Sequence, residues 1–457
     1  MNISKVQIVI LLASFLLTII DFNLSYWLVL EFAFLIFLLA DFKKTIAFAF
    51  PTGSIIAISF FVSNVFALSI LQLLEGSNLT LGTPFYLVVP IADYVPFAFI
   101  AAQLFFMGYQ LVSKPQAQWL YFLHNIQHSL RLQDINVLIV IGFAASLLNL
   151  LHIAAIDQLT HVLSNFTTCG FFAIALYKKS FTNKYLILGL MLQLFIVVRS
   201  SMFGVFMVYL VFFALMLLLL FRDKGFRLNW VAMLVLLFVG VVFLAFSQNT
   251  KTSYREEVWA GSQDASVNNF ISAATEASVA KTITDKEYYL PIVYRLNQAW
   301  LVSSTMIKVP YAEPFAGGGT IVRSCLDAIV PRFLNPDKEK AGGKEKIKKF
   351  TYLKLTESTS MNIGLLGEGY VNFGKWGAPI VIFLYGLLIG FLEKKILVYS
   401  FKKPIILLLF PVFFELVLTS ETDFLIIING MVKNTIIVLV VLYLLDGAKS
   451  KNKLQFS

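Results

Sequence analysis

Long apolar runs alternate with short polar breaks along most of the chain, and this alternation predicts helices that cross a lipid bilayer. The runs are long enough to span a hydrocarbon core of about 30 Å at about 1.5 Å per residue, and only a helix satisfies its own backbone polar groups there. Twelve spans are expected, over residues 6–20, 26–40, 46–74, 85–112, 136–156, 161–177, 185–199, 202–221, 229–247, 376–392, 404–419 and 424–445. The expected fold is therefore an all-α polytopic membrane protein. Its regions are a bundle over 1–247 holding spans one to nine, a polar segment over 248–362, spans ten to twelve over 363–447, and a tail over 448–457.

Residues 248–362 break the pattern, with 15 Lys or Arg against 12 Asp or Glu. Apolar residues still recur there at helical spacing: Val267, Phe270, Ile271 and Ala274; Val293, Leu296 and Trp300; Ile321, Val322, Cys325, Leu326 and Ile329. That periodicity predicts a small helical cap over the bundle, except at 336–349, whose Lys, Glu and Gly residues read as a mobile charged loop.

Composition excludes a soluble enzyme. Hydrophobic residues make up 58% of the 457 and charged ones only 14%, against about 25% charge in a soluble domain. The 45 Phe and 18 Tyr suit lipid-facing and interfacial surfaces. A net charge of +10 could point to nucleic acid, but the distribution of the cations changes that reading. Alternate connections carry 18 Lys and Arg, among them Lys43, Lys44, Lys178, Lys394 and Lys403, while the short connections of the other parity carry only Arg199. This bias predicts both termini in the cytoplasm, the 248–362 segment outside, and no nucleic-acid partner. Residues 1–20 lack a small-residue cleavage site and are expected to form the first span. Cys169 lies in an apolar run and Cys325 in the polar segment, so no disulfide is expected.

Four features carry candidate chemistry. Arg199 stands between two apolar runs, where a guanidinium either faces an anion or snorkels to headgroups. Glu313 to Thr320 contains three successive glycines ahead of a Thr that can cap a helix, leaving free N–H groups for an anion; a plain flexible turn is the alternative. Arg323 and Asp327 follow at i and i+4, with Arg332 beyond them. The stretch Leu366 to Gly377 puts Glu368, Tyr370 and Asn372 among glycines at the mouth of span ten. Finally Glu31, Asp93, Glu415 and Lys433 are ionisable groups inside apolar spans, the last two a possible ion pair. No Cys/His cluster has metal-ligand spacing and no nucleotide-binding fingerprint occurs, so metal-independent chemistry without a cofactor is expected.

The run Gly367 to Gly374 with Gly377, the preceding Val330-Pro331-Arg332-Phe333-Leu334-Asn335-Pro336-Asp337-Lys338, and Arg199 beside serines resemble the Wzy-type O-antigen and exopolysaccharide repeat-unit polymerases, glycosyltransferases of the GT-C superfamily. The resemblance implies undecaprenyl-pyrophosphate-linked oligosaccharides as substrates, the outer face of the bacterial inner membrane as the place of reaction, and flippase and chain-length regulator proteins as partners. Under it, Arg199, Arg323, Arg332 and Arg295 would hold pyrophosphate. Glu368 would be the catalytic base, with Asp327 as second choice, and Tyr370, Asn372 and Trp300 would position sugars. The absence of His from 248–362 favours a polymerase over the related ligases. A lipid-linked oligosaccharide flippase or another twelve-span transporter is the alternative, although such carriers often show two similar halves.

Overall fold

The structure, a computed structural model, describes residues 4–46, 52–76, 86–113, 129–149, 157–178, 229–259, 267–276, 284–330, 343–355, 360–419 and 421–454, with isolated positions between them. All regular structure among the described residues is helical: α1 Lys5–Leu17, α2 Leu24–Ile46, α3 Thr52–Glu75, α4 Ile91–Val112, α5 Leu132–Asn149, α6 Asp157–Lys178, α7 Trp230–Trp259, α8 Val267–Glu276, α9 Lys286–Leu296, α10 Ala299–Met306, α11 Gly319–Ile329, α12 Lys344–Phe350, α13 Gly364–Ser400, α14 Ile405–Leu418 and α15 Phe424–Leu454. Among the described residues seven helices, α2 to α7 and α15, are long and apolar enough to cross a membrane. The protein is a multi-pass helical membrane protein. The expected spans 185–199 and 202–221 lie outside the described residues apart from isolated positions.

Aromatic side chains fill the contact between α2, α3 and α4. Phe34 meets Phe61 and Phe99 edge to face at centroid distances of 5.3 and 5.7 Å, and Trp27 meets Phe99 at 6.0 Å. Helices α4 and α13 run parallel and close. Lys375, just past the kink that Gly374 makes in α13, reaches Asp93 on the first turn of α4, Gly386 faces the Phe105 carbonyl, and Gly390 sits where a Cβ would stand 2.8 Å from the Tyr109 carbonyl. Gly108 on the opposing face abuts the Phe383 carbonyl, so small residues on both helices let the backbones approach.

The late helices gather at one end of this bundle. Asn249 near the end of α7 donates to the Tyr288 carbonyl of α9 at 2.9 Å, Lys286 pairs with Glu75 at the end of α3 at 2.6 Å, and Gln298 donates its N–H to the Ser63 carbonyl at 2.8 Å. Ser63 belongs to a π turn, Val62–Phe66, where the widened ladder of α3 admits this crossing bond. At the opposite end stand Lys43 and Lys44 of α2 and Lys394 and Lys395 of α13.

Two expectations are corrected here. The cap is partly interior, because α10 has every residue but Trp300 buried against α13 and the π turn. Its composition, Ala-Trp-Leu-Val-Ser-Ser-Thr-Met, explains this: the hydroxyls of Ser303, Ser304 and Thr305 bond back to carbonyls of their own helix, so the segment buries no unpaired polar group. The stretch expected as a charged loop ends in α12, whose Ile347 and Phe350 are buried and whose C-terminal end is tied to Lys308, the Nζ donating to the Lys348 and Thr351 carbonyls at 3.1 Å. Both cysteines are free thiols.

Candidate functional site

A buried lysine joins three elements at the loop-side end of the bundle. Lys346 of α12 points inward, 4% exposed, and its Nζ donates to Glu368 Oε1 of α13 at 2.8 Å and to Asp423 Oδ2 at 2.9 Å. Asp423 caps α15, accepting the Ile426 N–H at 3.1 Å through its other oxygen. The Phe424 N–H, at the start of the same helix, donates to Glu368 Oε2 at 2.8 Å. The two carboxylates thus hold one cation and one helix start between them. Burial pushes the Glu368 carboxyl above the ordinary carboxylate range; Lys346 opposes that shift and Asp423 adds to it. Burial raises Glu339 in the same direction, against the opposing charge of Lys346. Burial alone would lower Lys346, but Glu368, Asp423 and Glu339 outweigh it and hold the ammonium above its ordinary value.

These directions fix a pH dependence. A carboxyl whose folded value is raised contributes stability below its unfolded value that is lost as pH rises through the folded one. The thermal midpoint of the protein in nanodiscs is therefore expected to fall as pH is raised from about 5 to about 8, and the Glu339→Gln variant to show a shallower fall. The Lys346 contribution persists across that window, since it is lost only above the ordinary lysine value. A midpoint that rises with pH would contradict this account of the cluster.

A second set of contacts runs from the same helix to α11. Asn372 Nδ2 donates to the Glu368 carbonyl and to Thr320 Oγ1, both at 2.7 Å, and its Oδ1 accepts the Gly318 N–H at 3.0 Å. The Ala316 and Gly317 N–H groups donate to the Val371 and Asn372 carbonyls at 2.9 and 3.1 Å, and the Gly319 N–H to the Ala316 carbonyl at 2.8 Å. The glycine run expected to leave free N–H groups for an anion instead spends them on α13 and its own turn. The helix begins at Gly319 with Gly318 as its cap at φ +90°, so Thr320 lies inside the first turn and does not cap it.

The remaining candidates are distributed around this core. Asp327 is 1% exposed, accepting from Asn335 Nδ2 at 3.2 Å and from the Glu339 N–H at 3.1 Å, with Arg323 Nε at 3.8 Å. Tyr370 donates to the Val309 carbonyl at 3.2 Å and packs edge to face on Phe97 and Phe315. Trp300 is half-buried on α10. Arg295 binds Glu421 at 2.7 Å, the two side chains being 40% and 44% exposed. Arg199 and Arg332 lie outside the described residues. Glu368 was expected as a carboxylate at an open rim, but it is fully buried with both oxygens engaged. Asp93, expected as an ionisable group of an apolar span, stands exposed on the first turn of α4 and is paired with Lys375 at 3.3 Å. Glu31 is buried as expected, accepting from Ser69 Oγ at 2.8 Å.

Five of the described candidates therefore lie on one connected path: Arg295 to Glu421, two residues on to Asp423, through Lys346 to Glu368, and by Asn372 and Thr320 to the helix bearing Arg323 and Asp327; Tyr370 and Trp300 stand apart from it. A family model described as a domain of unknown function (DUF8712) matches residues 87–451. The chain belongs to this family. No curated protein and no solved structure matches it. The DUF8712 match contains every residue of the path. Lys346, Asp423 and Glu421 are members that the sequence pattern did not single out as a site, although helical spacing puts Lys346 on the same side of α12 as the buried Ile347 and Phe350. Among the described residues no three His, Cys, Asp or Glu side chains are arranged to hold a metal ion.

Proposed function

We propose that this protein is a polysaccharide polymerase that transfers a growing glycan from undecaprenyl pyrophosphate onto a lipid-linked repeat unit. In this reading the chain spans the bacterial inner membrane twelve times, with the region 185–221, the apolar part of α13, and α1 and α14 completing the seven long helices. Both termini lie in the cytoplasm and residues 248–362 lie outside.

The observation that carries the reading is the exposed Arg295–Glu421 pair, continuous with a buried lysine–carboxylate cluster at the ends of membrane-crossing helices. In the transfer, the bond from the anomeric carbon to the pyrophosphate oxygen breaks and its electron pair leaves with the lipid pyrophosphate. A sugar hydroxyl of the repeat unit forms the new glycosidic bond and gives up its proton. Arg295 leaves Glu421 to neutralise the departing diphosphate together with Arg323, and Glu421, the accessible carboxylate so released, takes the proton. Glu368 and Asp327 are positioning residues: they are buried out of reach of a substrate and bonded to Lys346, the Phe424 N–H, Asn335 and the Glu339 N–H, so they act through the backbone and helices they fix. A groove of about 410 Å³ between α1, α2, α4 and α13, lined by Trp27, Phe97, Ile100 and Pro379 together with Lys375 and Asp93, offers apolar room for a carrier lipid.

Purified protein incubated with a synthetic lipid-pyrophosphate repeat unit is expected to yield a ladder of extended products on a gel. Arg295→Ala should slow extension about 10² to 10³-fold and Glu421→Gln about 10² to 10⁴-fold. Wild-type chain lengths in both variants would sink the assignment. A flippase reading draws on the buried intramembrane carboxylates Glu31 and Glu393; movement of labelled lipid-linked oligosaccharide across vesicles with no change in its length would favour it.

A further inference from the structure

Helix α11 is built inside out relative to a helix of a soluble domain. Its buried residues are Ser324, Asp327 and Ala328, while Val322, Leu326 and Ile329, on the opposite face, are 59%, 58% and 72% exposed. A helix surrounded by water buries its apolar stripe and turns its polar face outward. Here the polar face docks on the protein, where Asp327 and Thr320 enter the network described above, and three branched aliphatic side chains project away from it. The arrangement is the one expected where the outer solvent is hydrocarbon.

The surroundings name the solvent. α11 packs against α15, a membrane-crossing helix, and against α13. Both carry exposed aliphatic faces, Ile436, Leu439 and Val440 on the first, Ile380, Leu384 and Leu388 on the second. At the junction of α11 with α13 stand Phe315, Phe373 and Trp376, exposed by 42%, 44% and 73%, with Gly318 packed on the Phe373 ring. An exposed Trp such as Trp376 marks the level of lipid headgroups, and the two Phe rings beside it suit the acyl chains just below.

We infer that α11 lies in the loop-side leaflet of the bilayer, with Val322, Leu326 and Ile329 in contact with lipid acyl chains, as a surface that seats the 313–330 segment in the membrane. Arg323 lies on the flank of this helix, its side chain 55% exposed, so the guanidinium stands at headgroup height with its stem along the apolar face. The helix is thereby held at the depth where a phosphate on a lipid would meet it. The inference does not depend on the enzymatic reading.

The test uses full-length protein in phosphatidylethanolamine and phosphatidylglycerol nanodiscs, with Cys169 and Cys325 replaced by serine. A nitroxide is attached in turn at Val322→Cys, Leu326→Cys, Ile329→Cys and Lys354→Cys, the last being an exposed polar position of the same region. Oxygen, which partitions into lipid, should collide with the first three labels at a ratio to a water-soluble nickel chelate several-fold above that at Lys354. Ratios equal to that at Lys354 would overturn the inference, as would labels shielded from both reagents, the sign of a protein partner or second copy on this face. Wild-type protein supplies a measurement free of substitutions: a lipid carrying a photoactivated diazirine in its acyl chain should leave adducts on peptides spanning 319–330. Their absence, with α15 labelled in the same sample, would equally overturn it.

Discussion

Lys346→Met is expected to destabilise the protein by about 3 to 5 kcal/mol. The methionine fits the same stem, but Glu368 and Asp423 would then face each other in the interior with no cation between them, each having lost a bond of 2.8 or 2.9 Å. Breaking one partner out of a buried ion group costs far more than the group contributes to stability when intact, because the stranded charge keeps its desolvation penalty. Adding Glu368→Gln should return part of the loss. The amide oxygen still accepts from the Phe424 N–H, and one of the two stranded charges is gone. The measurement is thermal unfolding of the purified single and double variants in nanodiscs, arranged as a double-mutant cycle. An unchanged midpoint for Lys346→Met alone would show that the lysine does not hold the three elements together.

The second large effect concerns the contact of α4 with α13. At Gly386 a Cβ would run into the Phe105 carbonyl oxygen, and at Gly108 into that of Phe383. Both obstacles are helix backbone, which cannot swing aside as a side chain does. Inserting carbon atoms into a packed interior costs about 1 to 3 kcal/mol, occasionally more, and Gly386→Leu is expected at or above the top of that range. Gly240 on α7 supplies the comparison, since nothing lies within 4 Å of a Cβ built there. Gly240→Leu should leave the yield of folded, monodisperse protein unchanged while Gly386→Leu abolishes it in size-exclusion chromatography. Equal yields would mean that the two helices can separate without loss.

The membrane helices were legible because the length of an apolar run is set by bilayer thickness and is written directly in composition. Boundaries were less so where polar residues are interior. Residues 364–375 read as a polar mouth before a span, yet 364–373 is already helical and meets the span at a kink at Gly374 (φ +70°), because Glu368 and Asn372 are satisfied by Lys346, Thr320 and the Gly318 N–H and can be enclosed. That Glu368, Asn372, Asp327 and Arg323 form two polar groups was legible from their spacing, but not what surrounds each of them. Lys346 is one of several lysines in a row and looks solvated; only its step from Ile347 and Phe350 distinguishes it. The periodicity of α11 revealed an apolar face without saying whether protein or lipid covers it, since both reward the same spacing. Asp423 and Glu421 resemble any acids of a short connection until the fold brings Lys346 and Arg295 to them.

The parallel contact of α4 with α13 also sets a timetable for biogenesis. Two of its glycines, Gly108 and Gly386, are separated by 278 positions, and ribosomes add about 5 to 20 residues per second. The groove on α4 is therefore inserted roughly 15 to 55 s before the helix that fills it has been synthesised. During that interval the early helices must wait in the lipid with an open seam, the state in which an insertase or chaperone would most readily find them.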